Sequence, residues 1–272
     1  MKKKKKNKAE KYHDRVAKQY DRMYEGSRYW DFYRELTWSH LKNFIPESKS
    51  RVLDAGCGTG VWGLRLARGG HQVTFMDVSS SMLDRAEEKA RQQGVIEKCS
   101  FVKDDLEELE SFSAESIELL LAQGDPLSCV KDPQRAIRSV YRILSKGGKA
   151  VFSVDGLFGG IFFFLERGEV KDLQRFLKKR VSHWQTKRKE ERFPTRAFSA
   201  KELRELFSSE GFEILSLIGK PVFPIRRFRQ LLENRQDYLR LLRMEMKYRA
   251  EPELLGGAPH LEVAVSKPST EN

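Results

Sequence analysis

The nine residues Val52-Leu53-Asp54-Ala55-Gly56-Cys57-Gly58-Thr59-Gly60 carry the strongest structural signal in this chain. They are typical of a buried strand, Arg51–Asp54, that ends in three alternate glycines and is followed by a helix over Val61–Arg68. Glycine permits a positive φ and lets the backbone approach a ligand without a Cβ in the way. The pattern therefore predicts that a nucleotide-like molecule lies over this turn.

Short apolar runs alternate with helical segments on the C-terminal side of the turn. Because this alternation is typical of βαβ units, it predicts a doubly wound α/β fold with a mostly parallel sheet, whose ligands bind at the carboxyl ends of the strands. The order Ser199 to Glu202 matches a capping box at a helix start. The further strands are expected at His71–Met76, Cys99–Lys103, Ser116–Leu121, Gly148–Val154, Phe212–Ile218 and His260–Ser266, and helices at Ser80–Gln93 and Pro133–Leu144.

A single domain over residues 10–268 is expected, between a disordered basic tail (1–9) and a short C-terminal tail (269–272). Aromatic and aliphatic residues recur at helical spacing in Glu10–Phe44 and predict one or two amphipathic helices, which Pro46 ends. Residues 10–46 would then form an N-terminal helical cap. Residues 156–198 and 221–257 interrupt the alternation and are predicted to be inserted lid segments.

The composition narrows the class of protein. A net charge of +12 in 272 residues favours a polyanionic partner, RNA or an anionic membrane surface, although a solvated basic face explains the same excess. Cys57, Cys99 and Cys129 are odd in number and widely spaced, which argues against a disulfide framework. With neither an apolar run of membrane-spanning length nor a signal-peptide pattern, the sequence predicts a soluble, cytoplasmic protein.

Two nucleotide-binding families use a glycine turn of this kind. Gly58-Thr59-Gly60-Val61-Trp62-Gly63 satisfies the dinucleotide pattern, which would suit an NAD-dependent reductase. That interpretation leaves Asp54 and Gly56 unexplained, because a pyrophosphate sits poorly beside a carboxylate. A carboxylate suits the ammonium group of S-adenosylmethionine (SAM), and the order Asp-x-Gly-x-Gly-x-Gly closely resembles motif I of class I SAM-dependent methyltransferases.

The resemblance covers Arg51–Val154 well and Phe198–Pro268 loosely, and it implies a Rossmann-like sheet of seven strands with SAM as cofactor and S-adenosylhomocysteine as product. It implies that Asp77, at the end of the second strand, accepts hydrogen bonds from both ribose hydroxyls. Met82, within Ser79-Ser80-Ser81-Met82-Leu83, would pack near the adenine, and Asp105 would accept from the adenine amino group. The predicted cofactor-binding residues are Asp54, Gly56, Gly58, Gly60, Asp77, Met82, Asp105, Leu106 and Gln123.

Methyl transfer is an in-line displacement, so the enzyme mainly holds donor and acceptor in position, and some acceptors also need a general base. The candidates are Tyr20, Asp125 and His183; His260 is a fourth possibility, although packing at a strand edge explains it as well. Core packing explains Tyr20, a turn explains Asp125, and a surface position explains His183. No metal site is predicted.

The sequence leaves several possibilities for the molecule that accepts the methyl group. The aromatic run around Ile161-Phe162-Phe163-Phe164-Leu165 suggests an apolar roof, hence a small, partly hydrophobic acceptor methylated at O, N or C; alternatively it packs a helix. An RNA methyltransferase would use the basic segments Lys171–Arg192 and Arg226–Arg249 to hold phosphates, and a non-catalytic SAM-binding scaffold is a third possibility. The absence of an Asn/Asp-Pro-Pro-Tyr motif disfavours an N6-adenine or glutamine acceptor.

Overall fold

The computed structural model describes residues 6–184 and 186–269 and centres on a seven-stranded sheet with the order β3-β2-β1-β4-β5-β9-β8. All strands run parallel except β9, which is antiparallel to both of its neighbours. A separate two-stranded antiparallel sheet pairs β6 with β7. The strands are β1 (Arg51–Ala55), β2 (Gln72–Asp77), β3 (Cys99–Lys103), β4 (Ile117–Ala122), β5 (Leu144–Asp155), β6 (Val181–His183), β7 (Pro194–Arg196), β8 (Glu213–Lys220) and β9 (His260–Ser266).

Helices cover both faces of the large sheet, which confirms the predicted doubly wound fold. Alternate residues along each strand enter two separate cores: Val52 and Leu121 pack with α3 and α4, whereas Leu53 and Leu120 pack with α6 and α9. The helices are α1 (Lys8–Val16), α2 (Arg28–Leu41), α3 (Val61–Arg68), α4 (Ser80–Gln92), α5 (Pro126–Cys129), α6 (Pro133–Ile143), α7 (Leu157–Glu166), α8 (Val170–Lys179), α9 (Ala200–Ser209), α10 (Arg235–Tyr248) and α11 (Pro252–Leu255).

Several predicted boundaries are confirmed, including both ends of α3, β3 and β9. The capping box is present, since the Ser199 side chain accepts from the Glu202 N–H and the Glu202 side chain accepts from the Ser199 N–H. Helix α2 ends at Leu41, earlier than the predicted stop at Pro46, because the chain turns through short-range bonds that bury Phe44 against the sheet.

The predicted insertions pack against the predicted cap. Residues 156–198 form α7, α8 and the β6–β7 hairpin, and the hairpin residue Phe193 contacts Tyr12 of α1. Residues 221–257 contain a 3₁₀ turn, Arg229–Glu233, followed by α10 and α11. Tyr238 of α10 packs edge-on against Phe32 of α2, so the second insertion lies on the cap.

The aromatic run that suggested an apolar roof forms α7. Phe164 is buried against Phe176 of α8, whereas Phe162 and Leu165 are 36% and 54% exposed. Part of this run therefore packs one helix on another, and part faces solvent.

The remaining expectations concern the termini and the cellular setting. Residues 1–5 of the predicted basic tail and residues 270–272 lie outside the described residues. The last two residues of that predicted tail, 8 and 9, belong to α1, which Asn7 caps through its side chain. In the described ranges, no helix is both long and apolar enough to cross a bilayer. The three cysteines are free, and the cytoplasmic setting stays a prediction.

Candidate active site

The glycine turn between β1 and α3 has the backbone geometry that the sequence predicts. Gly56, Gly58 and Gly60 have φ values of 67°, 52° and 83°, in the left-handed region that favours glycine. A Cβ on Gly56 would lie 2.6 Å from the Cβ of Pro126, so this position also lacks space for a side chain. The turn thus presents bare backbone at the carboxyl edge of the sheet.

Asp54 is buried beneath this turn at the end of β1. Its Oδ2 accepts the N–H of Gly63 at 2.8 Å, which anchors the first turn of α3. Burial raises the pKa of Asp54 to about 7, against the Gly63 hydrogen bond that lowers it. The carboxyl group therefore titrates near neutral pH, and a cation placed beside it would favour the ionised form.

Asp77 occupies the corresponding place at the end of β2. Its Oδ2 accepts the Gly58 N–H and its Oδ1 accepts the Ser79 N–H, each at 2.9 Å. Burial raises its pKa. Because a carboxylate oxygen can accept more than one hydrogen bond, Asp77 can still accept two hydroxyl groups while holding the turn.

The N-terminal cap lies over the turn and over the start of α4. Asp14 accepts the Ser79 hydroxyl and Asp21 accepts the Thr59 hydroxyl, both at 2.6 Å. The Tyr20 ring approaches to 3.9 Å of the place where a Gly58 Cβ would stand. Burial raises the pKa of Tyr20 well above its usual value, so its phenol stays protonated and is a poor general base.

Of the other residues predicted to bind the methyl donor, Met82, Leu106 and Gln123 are buried and Asp105 is half-buried. Met82 is fully buried beneath the cap. The Asp105 side chain accepts the Glu107 N–H at 3.0 Å, and Leu106 is buried in the core on the α6 side. Gln123, directly after β4, accepts the Lys220 ammonium at 3.2 Å and donates to the Val151 carbonyl at 3.3 Å.

Past the end of β4, the structure brings together three ionisable side chains. The Nδ1 of His260, the first residue of β9, lies 3.0 Å from Asp125 Oδ2 and 3.9 Å from Asp155 Oδ1. Asp125 has a left-handed backbone (φ 65°), and its N–H donates to the Ser153 hydroxyl. The ligand atoms of the three residues lie within 4.8 Å of one another, close enough to bind a metal ion.

The three ionisable side chains of this cluster shift one another's pKa. Burial raises the pKa of Asp125, but His260 outweighs it and the net shift is downward. Burial likewise lowers the pKa of His260, yet Asp125 and Asp155 outweigh that effect and raise it. Burial and the Asp125 charge raise the pKa of Asp155 to about 7. These shifts favour an Asp125–His260 ion pair beside the Asp155 carboxyl group.

A buried ionic network supports this cluster from the neighbouring strand. Lys220, opposite His260 in the β8–β9 register, forms an ion pair with Glu262. Glu262 also contacts His40 Nδ1 at 2.6 Å, which ties β9 to α2. The Tyr33 ring of α2 closes the cluster, with its centroid 5.6 Å from that of His260 and 5.1 Å from Lys220 Nζ.

The structure places the predicted catalytic residues in different regions. Asp125 lies in the cluster, whereas His183 is exposed on β6 opposite Pro194, in the hairpin that packs on α1. Asp155, Lys220 and Tyr33 were missed. The first two end strands β5 and β8, which is a signal, but the antiparallel register that brings them to His260 cannot be read from single strands.

The strand order, the bare glycine turn, and carboxylates at the ends of β1 and β2 define a class I SAM-dependent methyltransferase. The residues fit the cofactor, because Asp77 retains acceptor capacity for a ribose and Asp54 offers a carboxyl group for an ammonium. The dinucleotide interpretation of Gly58–Gly63 is therefore dropped.

Comparison with known proteins gives the same class. Residues 52–148 match the family model of the methyltransferase domain. The chain is 27% identical over 271 residues to a tRNA 5-carboxymethoxyuridine methyltransferase of Escherichia coli, covering 95% of this chain and 97% of the relative. A ubiquinone biosynthesis O-methyltransferase of Coxiella burnetii is 35% identical over 114 residues, covering 42% of this chain and 47% of the relative. A solved SAM-dependent methyltransferase from Methanosarcina mazei shares the fold, with a TM-score of 0.61 and 24% identity over 85% of this chain and 97% of its own.

Proposed function

We propose that this enzyme methylates an RNA acceptor, a modified uridine of tRNA that carries a carboxylate-bearing substituent. One observation carries the proposal: the similarity to the tRNA 5-carboxymethoxyuridine methyltransferase extends over 95% of the chain. It therefore includes the cap and both insertions, which lie outside the domain at residues 52–148. Those outer segments are where methyltransferases with a common donor domain can differ in acceptor.

Contacts at the ends of β1 and β2 support an assignment of the residues that bind the methyl donor. We propose that Asp77 accepts the ribose hydroxyls, Asp54 faces the methionyl ammonium, and the Gly56–Gly60 backbone approaches the donor closely. Met82, Asp105, Leu106 and Gln123 complete the proposed donor site. The cap residues Asp14 and Asp21 hold Tyr20 over the turn, which limits the access of water.

The acceptor side suits a carboxylate nucleophile. A carboxylate is ionised at neutral pH, so its methylation needs positioning and no proton removal. His260 lies against Asp125, and the two carboxylates raise its pKa against the effect of burial, which favours a form that can donate a hydrogen bond to an acceptor oxygen. Tyr33 adds a phenol whose pKa burial keeps well above its usual value, and which therefore stays a donor.

A small, partly hydrophobic acceptor is the second candidate. The ubiquinone biosynthesis relative supports it over the shorter region of similarity. A hydroxyl acceptor would require a general base, and Asp155, with a pKa of about 7, is suited to that role. At saturating SAM the two candidates differ in pH dependence: the rate on a hydroxyl should rise through pH 7, whereas the rate on a carboxylate should be the same on both sides of pH 7.

The deciding experiment incubates the protein and SAM labelled in its methyl group with tRNA from cells that lack this enzyme. We expect label in RNA, located by nucleoside mass spectrometry in a carboxylate-bearing uridine. Unmodified transcripts of the same tRNAs serve as a control and should stay unlabelled, since they lack the substituent. A parallel incubation uses the small-molecule extract of the same cells, and label there with none in tRNA would replace the proposal with the second candidate.

A further inference from the structure

An open groove between α2, α3 and α10 lies on the outside of the cap, apart from the Asp125–His260 cluster. It encloses about 890 Å³. Six cationic side chains, from three helices and from the residue that follows α2, line it, against the two acids Asp31 and Glu35; the cations are Arg28, Arg34, Lys42, Arg65, Arg68 and Arg235. The groove therefore concentrates positive charge contributed by segments far apart in sequence.

These charges are mostly uncompensated. In the part of the chain that the structure describes, only Arg34 of the six is in an ion pair, with Asp31 at 2.6 Å. Burial and the neighbouring charge of Arg68 lower the pKa of Arg65, a sign of like charges held together. Surface cations of this protein commonly pair with acids one helical turn away, as Arg91 does with Glu87. The groove differs from such a solvated face.

Aromatic residues lie among the cations. Trp38, Trp62 and Tyr238 line the groove, and the Arg65 guanidinium lies 3.5 Å from the centroid of the Trp38 ring. A positively charged groove with aromatic rings is the combination that binds single-stranded nucleic acid, because phosphates meet cations and bases stack on rings. A phospholipid surface would not need the concave shape or the aromatic lining.

The groove also begins beside the donor site. Val61 and Trp62, which line it, directly follow Gly60 of the glycine turn. Helix α2 contributes Arg34 to the groove and Tyr33 to the acceptor cluster. A strand bound in the groove would therefore run past the edge of the sheet where methyl transfer takes place.

We propose that this groove binds the phosphodiester backbone of an RNA, positioning the acceptor nucleotide at the Asp125–His260 cluster. The proposal rests on the RNA acceptor proposed above. It assigns the groove to substrate positioning, with no part in the reaction itself.

The test compares two triple variants with the same loss of charge. Arg65→Ala/Arg68→Ala/Arg235→Ala removes groove cations. Lys146→Ala/Lys201→Ala/Arg204→Ala removes exposed cations from β5 and from α9, which packs on the opposite face of the sheet. Binding of tRNA and of poly(U) is measured by fluorescence anisotropy from 50 to 300 mM salt, and tRNA methylation is measured in parallel.

We expect the groove variant to raise the tRNA Kd and KM at least tenfold and to reduce the slope of log Kd against log salt by about 2, roughly 0.7 for each lost phosphate contact. The control variant and the S-adenosylhomocysteine affinity of both should match the wild type. Wild-type affinity and slope in the groove variant would overturn the inference.

The two proposals fail in different ways. If the wild type methylates no RNA but the groove variant loses poly(U) binding, the groove still binds RNA, whereas the RNA acceptor and the positioning role both fail. If the wild type methylates tRNA and the groove variant behaves as the control does, only the groove assignment fails. Loss of binding to phosphatidylglycerol vesicles with unchanged RNA affinity would assign the groove to a membrane and overturn the RNA assignment.

Discussion

The proposed contact between Asp54 and the ammonium group of SAM would make donor binding depend on pH. Its pKa of about 7 lies above the usual value of 3.8, so in the free enzyme the buried carboxyl group ionises as the pH rises through 7. A bound ammonium prefers the ionised form, and SAM affinity should therefore increase on the order of tenfold between pH 5.5 and 7.5. Calorimetry at several pH values measures this. In Asp54→Asn, which still accepts the Gly63 N–H, the increase should disappear; its persistence would place the ammonium elsewhere.

Asp77 should contribute through hydrogen bonds rather than through titration. Asp77→Ala is expected to weaken S-adenosylhomocysteine binding by about 1–3 kcal/mol, since a charged acceptor of two hydroxyl bonds is lost. Asp84→Ala, an exposed carboxylate on α4, is the matched control and should bind as the wild type does. An unchanged Kd for Asp77→Ala in titration calorimetry would remove the ribose assignment.

For single residues, the sequence could predict those whose place follows from the strand on which they lie. Asp77 ends a strand, and the alternate glycines follow another, so their placement needs only the strand pattern. Lys220 and Glu262 could not be predicted to form a buried ion pair, because their contact depends on the β8–β9 register across 42 residues. The sequence of one strand does not indicate which residues of a distant strand will lie opposite it.

The glycine turn between β1 and α3 requires both a left-handed backbone and room that only glycine leaves, and two variants can separate these requirements. Gly56 and Gly94 both have φ of 67°, but only Gly56 also lacks room for a Cβ. Gly94→Ala should cost about 1–2 kcal/mol of unfolding free energy for the left-handed backbone alone. Gly56→Ala should cost clearly more, because Pro126 and the turn must move apart. Urea denaturation of the two variants measures the difference, and equal costs would mean that the turn accommodates a methyl group.

Element prediction succeeded where hydrophobic periodicity was long and failed where elements were short. Helix α3 and strand β9 have the predicted bounds. The four-residue helices α5 and α11 and the three-residue strands β6 and β7 were not predicted. Elements of that length gain little from intrinsic propensity and depend on tertiary contacts, such as the Arg15–Glu191 ion pair at 2.6 Å between α1 and the hairpin.

For the molecule as a whole, the Lys220–Glu262–His40 network joins the cap to the far side of the sheet. Lys220→Met should lower the unfolding free energy by about 3–5 kcal/mol, because Glu262 remains fully buried and loses its ammonium partner. The double variant Lys220→Met/Glu262→Gln should recover part of the loss. Both are measured by urea denaturation; a Lys220→Met protein as stable as the wild type would show that His40 alone satisfies Glu262.

The fold could be predicted for the whole domain, but the acceptor could not. The proposed donor site uses the ends of β1 and β2, which are neighbours in the chain and in the sheet. The Asp125–Asp155–His260 cluster, proposed as the acceptor site, combines residues after β4, at the end of β5 and at the start of β9, with α2 lying over them. Its composition is a property of the assembled sheet, and no single segment contains it.

The reversed direction of β9 makes the acceptor edge sensitive to chain length. His260 and Glu262 lie two residues apart on one face of this strand, as the alternation of side chains requires. Removing two residues between α11 and β9 would tend to draw the strand forward until an acidic group stood beside Asp125 and Asp155 in place of the imidazole. So small a deletion would turn a pocket of mixed charge into an acidic one.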